Sequence, residues 1–186
     1  MAQNDRLSVE IVRALDQWLE AFAVRAMIYV GEQDWPFADE FDGGDLSGAT
    51  HLVARMGREP VGACRVRWYA DFAKLERVAV KPAHRSGRVP RALWRAVAEL
   101  AGRKGYRRVL GHIEGSLLPF WSRAAGFAPR VGRPTYVLGG REFVEAVAEL
   151  PEHPMAISID APPQLVLACD AELGGAHFMP LLAEAS

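Results

Sequence analysis

A mixed α/β domain is what the sequence predicts, from three observations. Strand-like and helix-like segments alternate along the chain, Gly and Pro punctuate their joins, and half of the 186 residues are hydrophobic, enough for a core without metal or disulfide. Leu7, Val9 and Ile11 alternate with Ser8 and Glu10 as a first strand, and Leu15, Trp18, Leu19, Phe22 and Met27 then recur at helical spacing. Residues 31–50 are rich in Asp, Gly and aromatic residues without a period, and read as a loop able to lie over a site. The strand-like segments 51–55 and 61–69 flank Met56-Gly57-Arg58-Glu59-Pro60, which predicts a hairpin. Another strand over 72–80 ends at Lys81-Pro82, since proline has no amide hydrogen to give a ladder.

Pro90 suits the first position of a helix whose apolar stripe is Val89, Leu93, Ala96, Val97 and Leu100, with Arg91, Arg95, Glu99 and Arg103 on its polar face. Gly105 caps it. A strand over 107–113, a short helix over 117–124 closed by Gly126, and strands over 134–138 and 141–147 about a Gly139-Gly140 turn complete the order β-α-β-β-β-α-β-α-β-β. Residues 1–150 thus form the domain. Residues 151–186, with Pro151, Pro154, Pro162 and Pro163 around apolar runs, are an extension that packs on the same domain or at a homodimer contact.

The 22 basic and 23 acidic residues nearly cancel, so no global charge calls for nucleic acid or an anionic membrane as partner. Locally the balance breaks: residues 32–45 hold six acids and no base, whereas residues 81–108 hold nine Lys or Arg and only Glu99. Cys64 and Cys169 have no Cys or His partner at metal-ligand spacing, so neither a disulfide framework nor a bound metal is expected, and a reducing cytoplasm fits. Ala2-Gln3-Asn4-Asp5 is polar, and no apolar run approaches the roughly 18 residues that span a bilayer, so neither secretion nor insertion is expected.

Residues 75–93 carry the most chemistry, as strand, tight polar loop and helix start. Such a junction aims unpaired backbone N–H groups and the positive end of a helix dipole at one spot, which suits a pyrophosphate. His84, Arg85 and Arg88 add side-chain donors there. Val78-Ala79-Val80, Pro82, Arg85 and Ala92-Leu93 resemble, without a gap, the acyl-CoA motif of the GNAT (Gcn5-related N-acetyltransferase) superfamily. Phe120-Trp121-Ser122-Arg123-Ala124-Ala125-Gly126-Phe127 is similar to the F-Y-x-x-x-G-F element that closes that family's acyl site. Arg25-Ala26-Met27-Ile28-Tyr29-Val30-Gly31-Glu32-Gln33 resembles the R-x-x-V-F-x-x-E-Q opening of its ElaA-like branch, so the matches span residues 20–130.

The resemblance implies a GNAT-like mixed, largely antiparallel sheet flanked by helices, with acetyl-CoA or another acyl-CoA as donor. It implies backbone pairing of Val78, Ala79 and Val80 with the pantetheine arm, pyrophosphate contact along Arg85, Ser86, Gly87, Arg88, Val89 and Arg91, and Trp121 at the acyl end. Three positions depart from the pattern. Arg88 and Pro90 stand where motif glycines are usual; Pro90 removes one N–H, and Arg88 offsets part of that by charge-assisted pairing with phosphate. Trp121 stands where many relatives have a tyrosine general acid, and with no O–H it does not inherit that role.

Acyl transfer to an amine needs the amine neutral at attack, hence a base at the gap between strands. Glu76, on the strand before the cradle, is the first candidate; His112 and Glu114, which alternation sets on one face of the next strand, are the second. Arg65 and Arg67 are suited to anchor a substrate carboxylate. Arg25, Trp35, Asp42, Asp45 and Arg65 have some similarity to the scattered Arg, Trp and Asp pattern of acyl-homoserine-lactone synthases and make up the expected acceptor side. The expected activity is N-acyl transfer, most simply acetyl transfer, from acyl-CoA to a small-molecule or peptide amine by direct attack. A long-chain acyltransferase of autoinducer-synthase type and a non-catalytic CoA- or partner-binding module are the alternatives.

Overall fold

The structure is a computed structural model that describes residues 6–168. Its strands are β1 (Leu7–Ile11), β2 (Thr50–Met56), β3 (Glu59–Trp68), β4 (Ala73–Val80), β5 (Arg108–Glu114), β6 (Ala128–Pro129), β7 (Tyr136–Leu138) and β8 (Arg141–Glu149). The helices are α1 (Leu15–Arg25), α2 (Phe37–Glu40), α3 (Arg88–Arg103), α4 (Leu118–Ala125) and α5 (Pro163–Ala168). One sheet runs β1-β2-β3-β4-β5-β8-β6, with β7 also on β8. Every neighbouring pair is antiparallel except β4 and β5, which are parallel and joined through α3. This is the mixed, largely antiparallel sheet that the motifs imply.

Alternation along the strands sorts the core into two layers. Leu52, Ala54, Cys64, Val66, Leu75 and Val80 meet Leu93, Val97 and Ala101 of α3 on one face. On the other face Val53, Ala63 and Ala79 meet Ala21, Val24 and Ile28 of α1 and its continuation. The face of α1 differs from the helical stripe in the sequence. Leu15, Leu19 and Met27 are 75, 61 and 51% exposed, while Trp18 and Phe22 are half-buried. Small and β-branched Ala21, Val24 and Ile28 let the helix axis come close to the sheet, and bulkier side chains are turned outward.

α1 does not stop at Arg25 but widens into a π-helical stretch, Ala26–Glu32, marked by the Gln33 amide donating to the Ile28 carbonyl at 3.0 Å. The segment expected as loop contains α2 and a single 3₁₀ turn, Gly44–Leu46. α3 begins at Arg88, so Pro90 is its third residue rather than its first; the amide it lacks is still one of the four without an intrahelical acceptor. Gly105 and Gly126 both adopt positive φ, 86° and 73°, as helix ends require. From the extension, the Ile157 amide donates to the Arg103 carbonyl at 2.7 Å and His153 lies against Gly102, so residues 151–157 cover the C-terminal end of α3. Residues 158–168 continue the extension and include α5, while Cys169 and the residues after it lie outside the described residues.

Candidate active site

The site begins where the sheet opens. β4 and β5 pair only through Ala73↔Val109, Lys74↔Leu110 and Leu75↔Gly111, although β4 continues to Val80. Beyond Leu75 the β5-facing edge of β4 has no ladder partner, and backbone groups in that position need another one. A bulge forces the divergence: between Arg65↔Glu76 and Ala63↔Ala79, Cys64 of β3 faces both Arg77 and Val78, and Arg77 takes a left-handed φ of 54°. A cavity of about 350 Å³ fills the split. Leu75, Ile113, Trp121 and Phe127 line it from the α3 face of the sheet, and Lys74, Glu76, His112 and Glu114 line it from the α1 face. A single cavity with walls from both faces requires an open sheet.

The acidic segment holds the bulge in place. Arg77 donates to the Asp39 carbonyl at 2.7 Å and to Asp42 Oδ2 at 3.2 Å, lies 2.9 Å from Glu40 Oε2, and sits over the Trp35 ring. Arg25, fully buried, donates to Glu40 at 2.6 Å and Asp45 at 2.6 Å; buried Arg65 donates to Asp42 at 2.8 Å and Asp45 at 2.9 Å. Hydrogen bonds from Arg65 hold the Asp42 carboxyl well below the usual range. Burial raises Asp45, but Arg25 and Arg65 outweigh it and leave that carboxyl lowered. Burial wins at Glu40, whose pKa is raised. Arg25, Asp45 and Arg65 therefore form a buried network beneath the cavity, whereas Trp35 and Asp42 reach its wall.

The three candidate bases converge on the cavity in different states. Glu76 is 10% exposed, its Oε2 is 3.2 Å from Lys74 Nζ, and its Oε1 is buried without a hydrogen-bond partner. His112 Nε2 lies 3.7 Å from Glu145 Oε2, and burial together with nearby Lys74 lowers its pKa from 6.5, so the imidazole is neutral at neutral pH. Glu114 is engaged by Arg141 at 3.0 Å and by Ser116 Oγ at 2.9 Å. Two tyrosines of the wall were not singled out by sequence. Tyr29 is half-buried and donates to the Val78 carbonyl at 3.0 Å; its place within the R-x-x-V-F-x-x-E-Q opening was the available signal. Tyr136 packs edge-on to His112 and against Phe143, and only the pairing of β7 with β8 brings it there.

At the other end of the split stands the start of α3. Gly87 has φ 95°, and a side chain there would collide with the Arg91 guanidinium and touch the Phe120 ring. Arg88 and Arg91 are exposed and Ser86 is exposed, while Val89 and Pro90 are buried against the sheet, Val89 beside Gly62. Arg85 is held otherwise: its Nε donates to the Val80 carbonyl at 2.9 Å and its two terminal nitrogens form a bidentate pair with Glu32 at 2.7 and 2.6 Å. An acyl-CoA fits these parts. The edge of β4 from Val78 to Val80 has no strand partner on the β5 side, where the Val78 and Val80 carbonyls accept from Tyr29 and Arg85 and keep a second lone pair each for a ligand amide, and the α3 start with Arg88 and Arg91 can receive phosphates. Among the described residues no group of three or more His, Cys, Asp or Glu is placed to hold a metal ion.

A parallel strand pair split by a bulge, beside a glycine-led helix start, defines an acyl-CoA-dependent transferase. The chain matches the model of the acetyltransferase (GNAT) family over residues 11–127 and belongs to that family. It is 31% identical over 137 residues to YjcF of Bacillus subtilis, named an uncharacterized N-acetyltransferase, spanning 73% of this chain and 90% of that one. Among solved structures, ElaA of Escherichia coli superposes with a TM-score of 0.67 at 19% identity, over 77% of this chain and all of that one. BjaI, a CoA-dependent acyl-homoserine lactone synthase solved with SAM and isopentyl-CoA, gives a TM-score of 0.66 at 20% identity, over 89% of this chain and all of that one. Among the described residues no helix is long and apolar enough to cross a membrane.

Proposed function

We propose that this enzyme transfers an acetyl group from acetyl-CoA to a primary amine by direct attack, with Glu76 receiving the amine proton itself or through one water. The carrying observation is the buried Glu76 Oε1, which lacks a hydrogen-bond partner at the mouth of the β4–β5 split. A buried acceptor left unpaired costs about 1–3 kcal/mol, so a group that donates to it has a reason to sit there. The amine enters as ammonium and loses a proton toward Glu76. Its lone pair then forms the N–C bond, giving a tetrahedral adduct; as the adduct collapses the C–S bond breaks, sulfur leaves with the electron pair, and the second proton shed by the nitrogen passes through solvent to that sulfur. Val78, Ala79 and Val80 orient the donor, and Arg88, Arg91 and the amides from Ser86 onward hold its phosphates. Trp121, 8% exposed, shields the acyl end from water. The cytoplasm, where acyl-CoA is supplied, is the working compartment.

Replacing Glu76 by Gln tests the assignment. We expect kcat for amine acetylation to fall about 10²-fold or more, with little change in the calorimetric affinity for CoA. An unchanged kcat and pH-rate profile would move the role to His112, Glu114 or water.

A second reading has one observation in its favour. Leu75, Ile113, Trp121, Phe127, Leu138 and Phe143 give the cavity an apolar lining larger than an acetyl group needs, and the BjaI likeness covers more of this chain than the ElaA likeness does. On this reading the donor is a longer acyl-CoA. Higher kcat/KM with isovaleryl- or octanoyl-CoA than with acetyl-CoA would establish it.

A further inference from the structure

We infer that the acceptor is an amine that carries its own carboxylate one or two carbons away, as an α- or β-amino acid does. The inference rests on the acyl-transfer reading above and names the substrate class for that site. Arg67 and Lys74 are direct cross-strand partners in the β3–β4 ladder, an arrangement that like charges make unfavourable unless an anion lies between them. The carboxylate near both is Glu76, 3.2 Å from Lys74 Nζ and 3.8 Å from Arg67 Nε. Arg65 also approaches Glu76, at 3.4 Å, but Asp42 and Asp45 already balance it.

The other charges of the wall are matched. Arg77 is held by Glu40 and Asp42, Glu114 by Arg141, and His112 is neutral because burial and Lys74 depress its pKa. Arg67 and Lys74 therefore share one carboxylate, whose buried Oε1 lies 3.4 Å from Arg65 Nε and 3.8 Å from Arg67 Nε yet accepts no hydrogen bond. An incoming simple ammonium would add a third positive charge to this corner. A zwitterion instead gives its ammonium to Glu76 Oε1 and its carboxylate to Arg67 and Lys74. Because the cations lie within 3.8 Å of Glu76, the two ligand groups must be close together as well. Most peptide amines lack a carboxylate so near the attacking nitrogen and do not meet this requirement.

Thiol release from acetyl-CoA, measured with the full chain, tests the class. Amino acids are compared with their decarboxylated amines and methyl esters, for example phenylalanine with phenethylamine and phenylalanine methyl ester, and β-alanine with ethylamine. The expected result is a kcat/KM at least 10-fold higher for the amino acid. In Arg67→Gln and in Lys74→Met, two variants checked by circular dichroism, that preference should shrink at least 10-fold, chiefly through KM. Amines or esters equal to or better than amino acids would overturn the inference and leave acyl transfer standing, as would a preference that survives in both variants. Amino-acid preference with an unaffected Glu76→Gln variant would instead sink the base assignment and keep the acceptor class. No turnover of any amine, with CoA still bound, would remove both.

Discussion

Replacing Arg25 by Met removes the charge at the centre of the buried network while keeping a straight apolar stem between Phe22 and Phe41, which the guanidinium now approaches at 5.2 and 5.3 Å. Asp45 keeps Arg65 at 2.9 Å. Glu40, 0% exposed, loses a 2.6 Å bond and is left with Arg77, 2.9 Å away but out of hydrogen-bond alignment. Breaking a buried ion pair by removing one partner costs about 3–5 kcal/mol. Protonation limits the loss: neutralising a carboxyl with an ordinary pKa of 4.5 at pH 7 costs about 3.4 kcal/mol, and at pH 5.5 about 1.4 kcal/mol. The variant should therefore be about 3 kcal/mol less stable at pH 7, a Tm lower by about 6–12 °C, and the deficit should shrink by more than half at pH 5.5. Urea unfolding followed by tryptophan fluorescence at both pH values gives the comparison, provided the slope is unchanged. A loss under 1 kcal/mol, or one equal at the two pH values, would show that Glu40 is not the group left without its counterion.

Acidification should destabilise the protein in two stages. Burial lowers the pKa of His51 and His112 below their ordinary 6.5, so the unfolded chain takes up their protons first and stability falls as pH drops from about 6.5 through the folded values. Asp42 and Asp45 are also lowered, and their contribution is lost below about pH 4; pH-dependent thermal scans that show no decline between pH 7 and 5 would contradict the first stage. Arg88→Ala should weaken CoA binding roughly 10- to 150-fold, less at high salt, because it removes a charge-assisted phosphate contact of about 1.5–3 kcal/mol; calorimetry at two salt concentrations measures it. Gly87→Ala, at φ 95°, should lower stability by about 1–2 kcal/mol and weaken CoA further, and an unaltered variant in both assays would mean that the α3 start does not depend on that conformation.

The strand-loop-helix segment was legible because it is local: Val78-Ala79-Val80, Pro82 and Gly87 lie within one short stretch, and each sets its own backbone through β-propensity, a missing donor or a positive φ. The same locality explains why Gly105, Gly126 and the Gly139-Gly140 turn read correctly. Asp42, Asp45, Arg25 and Arg65 were gathered from the sequence as one set by likeness to a distant pattern, yet their division between cavity wall and buried network depends on distance. Arg25 and Asp45 are 20 positions apart and meet at 2.6 Å only because the segment after α1 folds back over β3. The helical spacing of Leu15, Leu19 and Met27 announced α1 but not its buried side, because spacing marks a stripe whereas burial depends on which residues are small enough for close approach. What the sequence determined by itself was most of the order of elements, all but α2, β6 and α5, together with the strand-loop-helix cradle and the family motifs, all carried by neighbours along the chain. The β4–β5 split, the strained Arg77 and the facing of Arg67 with Lys74 across Glu76 were decided by tertiary structure, since strand register is settled by pairing among residues that no local pattern links.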